Sequence, residues 1–141
     1  MAAPDAVLFT PLRRIALPQG DVRHALKASD TGFSGFGEAY FSAVASGSVK
    51  GWKRHRRMVM NLIVPCGAVQ FSLRRDGEAC DFVLSADRDE HYGRLTVPPD
   101  WWMAFGGIGE GLNLVLNIAS IEHDPTEAET CPLETMPWAW R

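Results

Sequence analysis

Between Ala6 and Ala119 the chain is cut at short intervals by glycine, proline and Asp-Gly signals, and the pieces between the cuts carry almost no helical period. Such punctuation leaves room for strands but not for long helices. The core must then come from pairing many short strands, as an antiparallel sandwich or barrel does. The predicted strands are Ala6–Thr10, Leu12–Leu17, Glu38–Val44, Val49–His55, Val59–Val64, Ala68–Arg74, Asp81–Ser85, Tyr92–Val97, Trp101–Phe105 and Leu112–Ala119. Asp76-Gly77 is the firmest turn, because both residues tolerate the positive φ that a tight hairpin demands. Asp21–Ser29 has apolar residues at helical spacing between glycines and reads as a short turn of helix. Gly106–Gly111 lacks the strand-to-helix context of a phosphate loop and reads as a flexible hairpin loop.

An all-β fold of 141 residues fits one domain, 1–141, with enough chain to bury a core without cross-links. Met1–Asp5 is expected to be a loose tail. Residues 122–141 are acidic and proline-rich, and read as an irregular tail whose Trp138 and Trp140 must pack on the body or on a partner subunit. Cys66, Cys80 and Cys131 show neither disulfide nor zinc spacing. With no leader pattern and no apolar run of membrane-spanning length, the expectation is a soluble, cytoplasmic protein that engages no membrane.

Charge is unevenly placed on this chain of net charge -3: Lys50, Lys53, Arg54, Arg56 and Arg57 are five of its 14 basic residues. A local basic cluster on an acidic protein suits a small anion better than a nucleic-acid backbone, so no nucleic-acid partner is expected. On a strand, alternation sends Lys53, His55 and Arg57 to one face and Arg54 and Arg56 to the other. We take the first set as inward, with Lys50 joining it if the strand bulges near Gly51.

Other polar residues interrupt apolar strands. Asn61, Asn113 and Asn117 each need partners if buried, and serve a ligand or an interior network equally well. Glu38 and Tyr40 share a face and offer an acid and a phenol. Trp101 and Trp102 point to opposite faces, so one of them, taken as Trp102, can stand at a barrel mouth and stack on a base or sugar. His24 and His91 read as surface residues. The scattered histidines give no ligand spacing, so no metal site is expected.

Three motifs in order carry a resemblance: Lys50-Gly51-Trp52-Lys53-Arg54-His55, Leu95 to Phe105 with its Pro98-Pro99-Asp100-Trp101-Trp102-Met103, and Asn117 to Glu127 with its His123-Asp124-Pro125. Together they resemble the cupin-fold dTDP-4-dehydrorhamnose 3,5-epimerases, as a short divergent branch related to the dTDP-sugar 3,4-ketoisomerases. The resemblance spans residues 35–130. It implies a jelly-roll barrel, a homodimer, no cofactor, and a small-molecule nucleotide sugar, a dTDP-4-keto sugar of surface polysaccharide or glycoside biosynthesis, as substrate. Proton abstraction beside a ketone needs a base, an acid on the other face and positive charge for the enolate oxygen. Lys53 stands where the family has its base histidine, Met103 replaces a second histidine, and His123 occupies the place of the acid tyrosine. Of the paired histidines of the ketoisomerases only the second, His55, is present. The resemblance therefore implies His55 as base, Lys53 as the stabiliser of enolate or phosphate charge and His123 as proton donor. Lys50 and Arg57 would meet the diphosphate, and Glu38, Tyr40, Asn61, Trp102, Asn113 and Asn117 would line the substrate site. The competing expectation is a nucleotide-sugar-binding cupin that has lost turnover.

Overall fold

The computed structural model describes residues 5–141. Of the tail expected over Met1–Asp5, Met1–Pro4 lie outside the described residues, and the Asp5 carbonyl accepts from Arg75 at 3.1 Å.

The described residues form twelve strands: β1 (Leu8–Pro11), β2 (Arg14–Ile15), β3 (Val22–Arg23), β4 (Glu38–Ala43), β5 (Val49–His55), β6 (Met60–Cys66), β7 (Ala68–Arg75), β8 (Glu78–Ser85), β9 (Gly93–Val97), β10 (Trp102–Gly107), β11 (Leu114–Ala119) and β12 (Ala128–Thr130). Two five-stranded sheets, ordered β1-β9-β6-β11-β4 and β12-β5-β10-β7-β8, face each other as the jelly-roll reading requires. The hairpin between β7 and β8 turns at Asp76 and Gly77, with φ of 47° and 81°. Asp21–Ser29 does not form the expected helical turn. Pro18-Gln19-Gly20 reverses the chain, and Val22 pairs with Ile15 in a separate two-stranded ribbon. Nor is residues 122–141 wholly irregular, since Ala128–Thr130 adds a strand beside β5.

Side chains that alternate inward from both sheets make the core: Leu62, Val69, Phe71, Leu73, Leu84, Leu95 and Val97 are all buried within it. Truncating one of the largest, Phe71, to alanine costs about 3–5 kcal/mol by loss of contacts and cavity formation. Each sheet also has part of its outer face covered. Residues from Gly32 are tied to the first sheet by the amide of Asn61, which donates to the Gly32 carbonyl at 3.1 Å and accepts from Thr96 at 2.6 Å. The C-terminal segment lies on the second sheet: Trp52 Nε1 donates to the Leu133 carbonyl at 3.0 Å, and Gln70 bonds both the Ala139 carbonyl and the Arg141 amide at 2.8 Å. Trp138 and Trp140 meet edge to face at 5.2 Å there. Gly106 makes room for them, since a Cβ on it would come within 2.5 Å of the Trp140 ring.

The two flanks of the sandwich differ. Where β1 and β8 end their sheets, Phe9 and Phe82 stack at 6.3 Å and close the gap. Where β4 ends one sheet and β5 and β12 end the other, the space between the sheets stays open.

Candidate active site

That open flank holds a cavity of about 240 Å³ whose floor is apolar: Met60 and Leu62 from β6, Met103 and Phe105 from β10, and Val115 from β11. Polar groups enter from two sides. Tyr40 and Ser42 on β4 and Asn117 on β11 belong to one sheet; Lys50, Gly51, Lys53 and His55 on β5 belong to the other.

Strand pairing explains how β5 presents three polar groups to one face. Met103 pairs with Lys53 and Phe105 with Lys50, so three steps on β5 oppose two on β10, which is a bulge at Gly51 and Trp52. It turns Lys50 to the same side as Lys53 and His55, while Trp52 goes to the outer face and the C-terminal segment. The Lys50 ammonium then sits 5.9 Å from the centre of the Phe105 ring.

His55 is 6% exposed and its Nδ1 lies 2.5 Å from Oε2 of Glu127, itself 4% exposed. The other carboxylate oxygen, Oε1, accepts the backbone amides of Met58 at 2.8 Å and Arg57 at 3.1 Å. Burial alone would raise the Glu127 pKa, but the hydrogen bond from His55 and those two amides outweigh it and hold the group below its usual range. Glu127 is therefore a carboxylate and only accepts. Nδ1 therefore donates in this bond, and Nε2 is the ring nitrogen it leaves free.

The acidic C-terminal segment also divides the basic cluster. Arg54 bonds Glu129 at 2.7 Å, Arg56 pairs with the same carboxylate, and Arg57 bonds Asp124 at 3.0 Å. Among the described residues, neither Lys50 nor Lys53 has a carboxylate within salt-bridge range, so their charge faces the cavity uncompensated.

Of the residues expected at the site, His55, Lys53, Lys50, Tyr40 and Asn117 meet in the cavity, and the others do not. Arg57 was expected inward, but β5 ends at His55, alternation lapses in the following bend, and the side chain turns out to Asp124. His123 lies exposed in the loop after β11, outside the cavity. Glu38 shares the face of Tyr40 but stands at the first position of β4, opposite Ala119, beyond the cavity's end. Asn61 faces the opposite side of β6 from Met60 and Leu62, where it serves Gly32 and Thr96. Trp102 faces outward, 4.8 Å from the Arg54 guanidinium, because its neighbour Met103 takes the inward position. Asn113 precedes β11 and staples loops together, accepting from the Ala68 amide at 3.0 Å and donating to the Gly109 carbonyl at 2.8 Å.

Sequence reasoning named neither the cavity-lining Ser42 nor Glu127, the partner of His55, as a site residue. Asp124-Pro125-Thr126-Glu127 does carry a local signal: an aspartate capping a turn with proline at its first position, and Asp124 accepts from the Thr126 amide at 3.0 Å. That pattern marks a turn, but it does not say that β12 will carry its glutamate to β5.

No family model matches the sequence, and no curated protein matches it. Solved structures do. The dTDP sugar isomerase from Desulfovibrio desulfuricans G20 superposes with a TM-score of 0.89 at 32% identity, covering 96% of this chain and 91% of that one. The sugar 3,4-ketoisomerase from Thermoanaerobacterium thermosaccharolyticum in complex with TDP gives 0.74 at 22% identity, over 87% of this chain and 86% of that one. A 3'-monoepimerase from Streptomyces bikiniensis in complex with dTDP gives 0.81 at 11% identity, over 98% and 78%. The last two speak for the fold, the first for kinship over nearly the whole length, and with it the chain belongs to the cupin-fold family of dTDP-sugar isomerases and epimerases.

Proposed function

We propose that this protein is a nucleotide-sugar isomerase or epimerase that acts on a dTDP-4-keto sugar by removing a proton from the carbon beside the ketone. The observation that carries the reading is the buried His55–Glu127 pair at 2.5 Å with the imidazole facing the cavity. Nε2 of His55 takes the carbon-bound proton, and Glu127 stabilises the imidazolium that results. As the C–H bond breaks, its electron pair moves into the C–C bond and negative charge gathers on the ketone oxygen. Lys53, on the same face of β5, supplies positive charge for that oxygen, and Lys50 meets the diphosphate. Protonation comes from the other sheet, where Tyr40 is the phenol in the cavity and takes the role expected of His123. Returned to the same carbon from the opposite face, the proton inverts its configuration; delivered instead to the former carbonyl carbon, while the neighbouring hydroxyl proton passes to the former ketone oxygen, it moves the ketone to the neighbouring carbon.

The non-catalytic reading draws on Lys53 and Met103 standing in place of histidines, and deuterium exchange separates the two. In deuterated buffer the protein should introduce deuterium beside the ketone of TDP-4-keto-6-deoxyglucose, as followed by proton NMR. Binding of that sugar nucleotide with no exchange above the buffer rate would leave only the binding function.

The same reading includes a homodimer. Its support is an apolar outer surface beside the edge strand β4, where Phe36, Phe41 and Leu112 are 65%, 63% and 58% exposed. Sedimentation of the wild type and of Phe41→Asp tests it, with a monomeric wild type as the outcome that overturns it.

A further inference from the structure

Asn117 occupies a place where a core position would ordinarily hold leucine or valine. It is 3% exposed, on a strand whose inward neighbour is Val115, against a floor of Met60 and Leu62. Its Nδ2 donates to the Tyr40 hydroxyl oxygen at 3.0 Å and lies 3.8 Å from Sδ of Met58, a weak acceptor. Its Oδ1 receives nothing. Four buried side-chain atoms among the described residues lack a partner, and Asn117 Oδ1 is the one that belongs to a residue of the cavity. An orphaned buried carbonyl lowers stability, so the position keeps an amide at the expense of the fold. What the amide gives in return is its N–H toward Tyr40.

That contact has a direction. A phenol oxygen that accepts from Asn117 must send its own proton elsewhere, and the side chain borders the cavity. The N–H also stabilises the negative charge left on the phenol oxygen once its proton has gone to a substrate carbon. We propose that Asn117 is the positioning residue of the reaction: it holds the Tyr40 hydroxyl with the proton aimed at the substrate, and it does so through one hydrogen bond whose other half is left unsatisfied. The proposal rests on the isomerase or epimerase reading above.

The test is a double-mutant cycle with Asn117→Leu, Tyr40→Phe and the double variant, each measured for thermal midpoint, kcat and KM with TDP-4-keto-6-deoxyglucose. Leucine removes the orphaned carbonyl, so Asn117→Leu should melt higher by about 2–4 °C, while kcat falls about tenfold with KM unchanged. The double variant should be no slower than Tyr40→Phe alone, because Asn117 acts only through the phenol. A lower melting point or failure of Asn117→Leu to fold would make the residue a structural one and overturn the proposal. So would an unchanged kcat, a rise in KM alone, or losses that multiply in the double variant. A wild type that turns over with any of those results leaves the functional reading standing without the proposal. A wild type that binds the sugar nucleotide and neither exchanges nor isomerises it removes both.

Discussion

The two sides of β5 received similar charge and put it to different use. On the outer side and in the bend that follows, Arg54, Arg56 and Arg57 each find a carboxylate on the C-terminal segment, Glu129 or Asp124. On the inner side, Lys50 and Lys53 face an apolar cavity with no such partner among the described residues, and the one buried carboxylate nearby, Glu127, is engaged by His55 and two backbone amides. The same twenty-residue tail thus neutralises one set of cations and leaves the other available. Exposed ion pairs of this kind are worth about 0–1 kcal/mol each, so the arginines' chief effect is to fasten the tail that delivers Glu127. Positive charge at the mouth of the cavity, beside its apolar floor, acts on whatever anion enters.

The largest loss follows from the imidazole. His55→Ala should lower deuterium exchange beside the ketone by about 10²–10⁴-fold, the usual contribution of a general base, with binding of TDP retained; equal exchange in the variant would remove His55 from the chemistry. Glu127→Gln comes next. Glutamine still accepts the Met58 and Arg57 amides but cannot stabilise the imidazolium, so exchange should fall by about 10–100-fold while the fold persists. The same pair predicts a pH dependence of stability. The folded Glu127 pKa lies below its ordinary value, so its contribution is fully present above the ordinary glutamate pKa of about 4.3 and is lost as pH falls through the lower folded value. Urea midpoints taken from pH 6 downward should decline more steeply in the wild type than in Glu127→Gln; parallel curves would show that the pair stores no such linkage.

What the sequence told, and what it withheld, follows the same division. Turn chemistry located nearly every strand, since Asp76-Gly77 and the proline and glycine breaks act locally. Alternation put Lys53 and His55 on one face, and Gly51 hinted at the bulge that adds Lys50. Periodicity fixes which residues share a face but not which face looks inward, and that is how Trp102 and Asn61 were misplaced. It also lapses where a strand ends, which misled for Arg57. Glu127 was out of reach for a different reason: it meets His55 across 72 residues of chain, and nothing local distinguishes it from Glu122, Asp124 or Glu129.

Removing charge from the inner side tests the comparison more directly than removing the base. Lys53→Met keeps an unbranched apolar stem opposite Met103 on the paired strand while deleting the ammonium, so stability should hold within about 0.5 kcal/mol and exchange should fall about tenfold or more for want of charge at the enolate oxygen. Lys53→Arg should recover part of the rate, because charge is restored with altered reach. Full activity in Lys53→Met would mean that the cavity lysine is a bystander.

Arg57 supplies the opposite case and the smallest effect. By sequence it belongs with Lys53 and His55, but its side chain is 58% exposed and paired with Asp124, outside the cavity. Its backbone amide, not its guanidinium, serves the site, through Glu127 Oε1 at 3.1 Å. Arg57→Met should therefore change exchange and TDP affinity by less than about twofold and stability by at most about 1 kcal/mol, with no change in the pH dependence that Glu127 governs. A tenfold loss of TDP affinity in Arg57→Met, measured by calorimetry at moderate salt, would return the arginine to the diphosphate and erase the distinction between the two sides of β5. Should the loss be confined to low salt, it would report long-range attraction between exposed charges, which screening removes within about 10 Å at 0.1 M, and the distinction would stand.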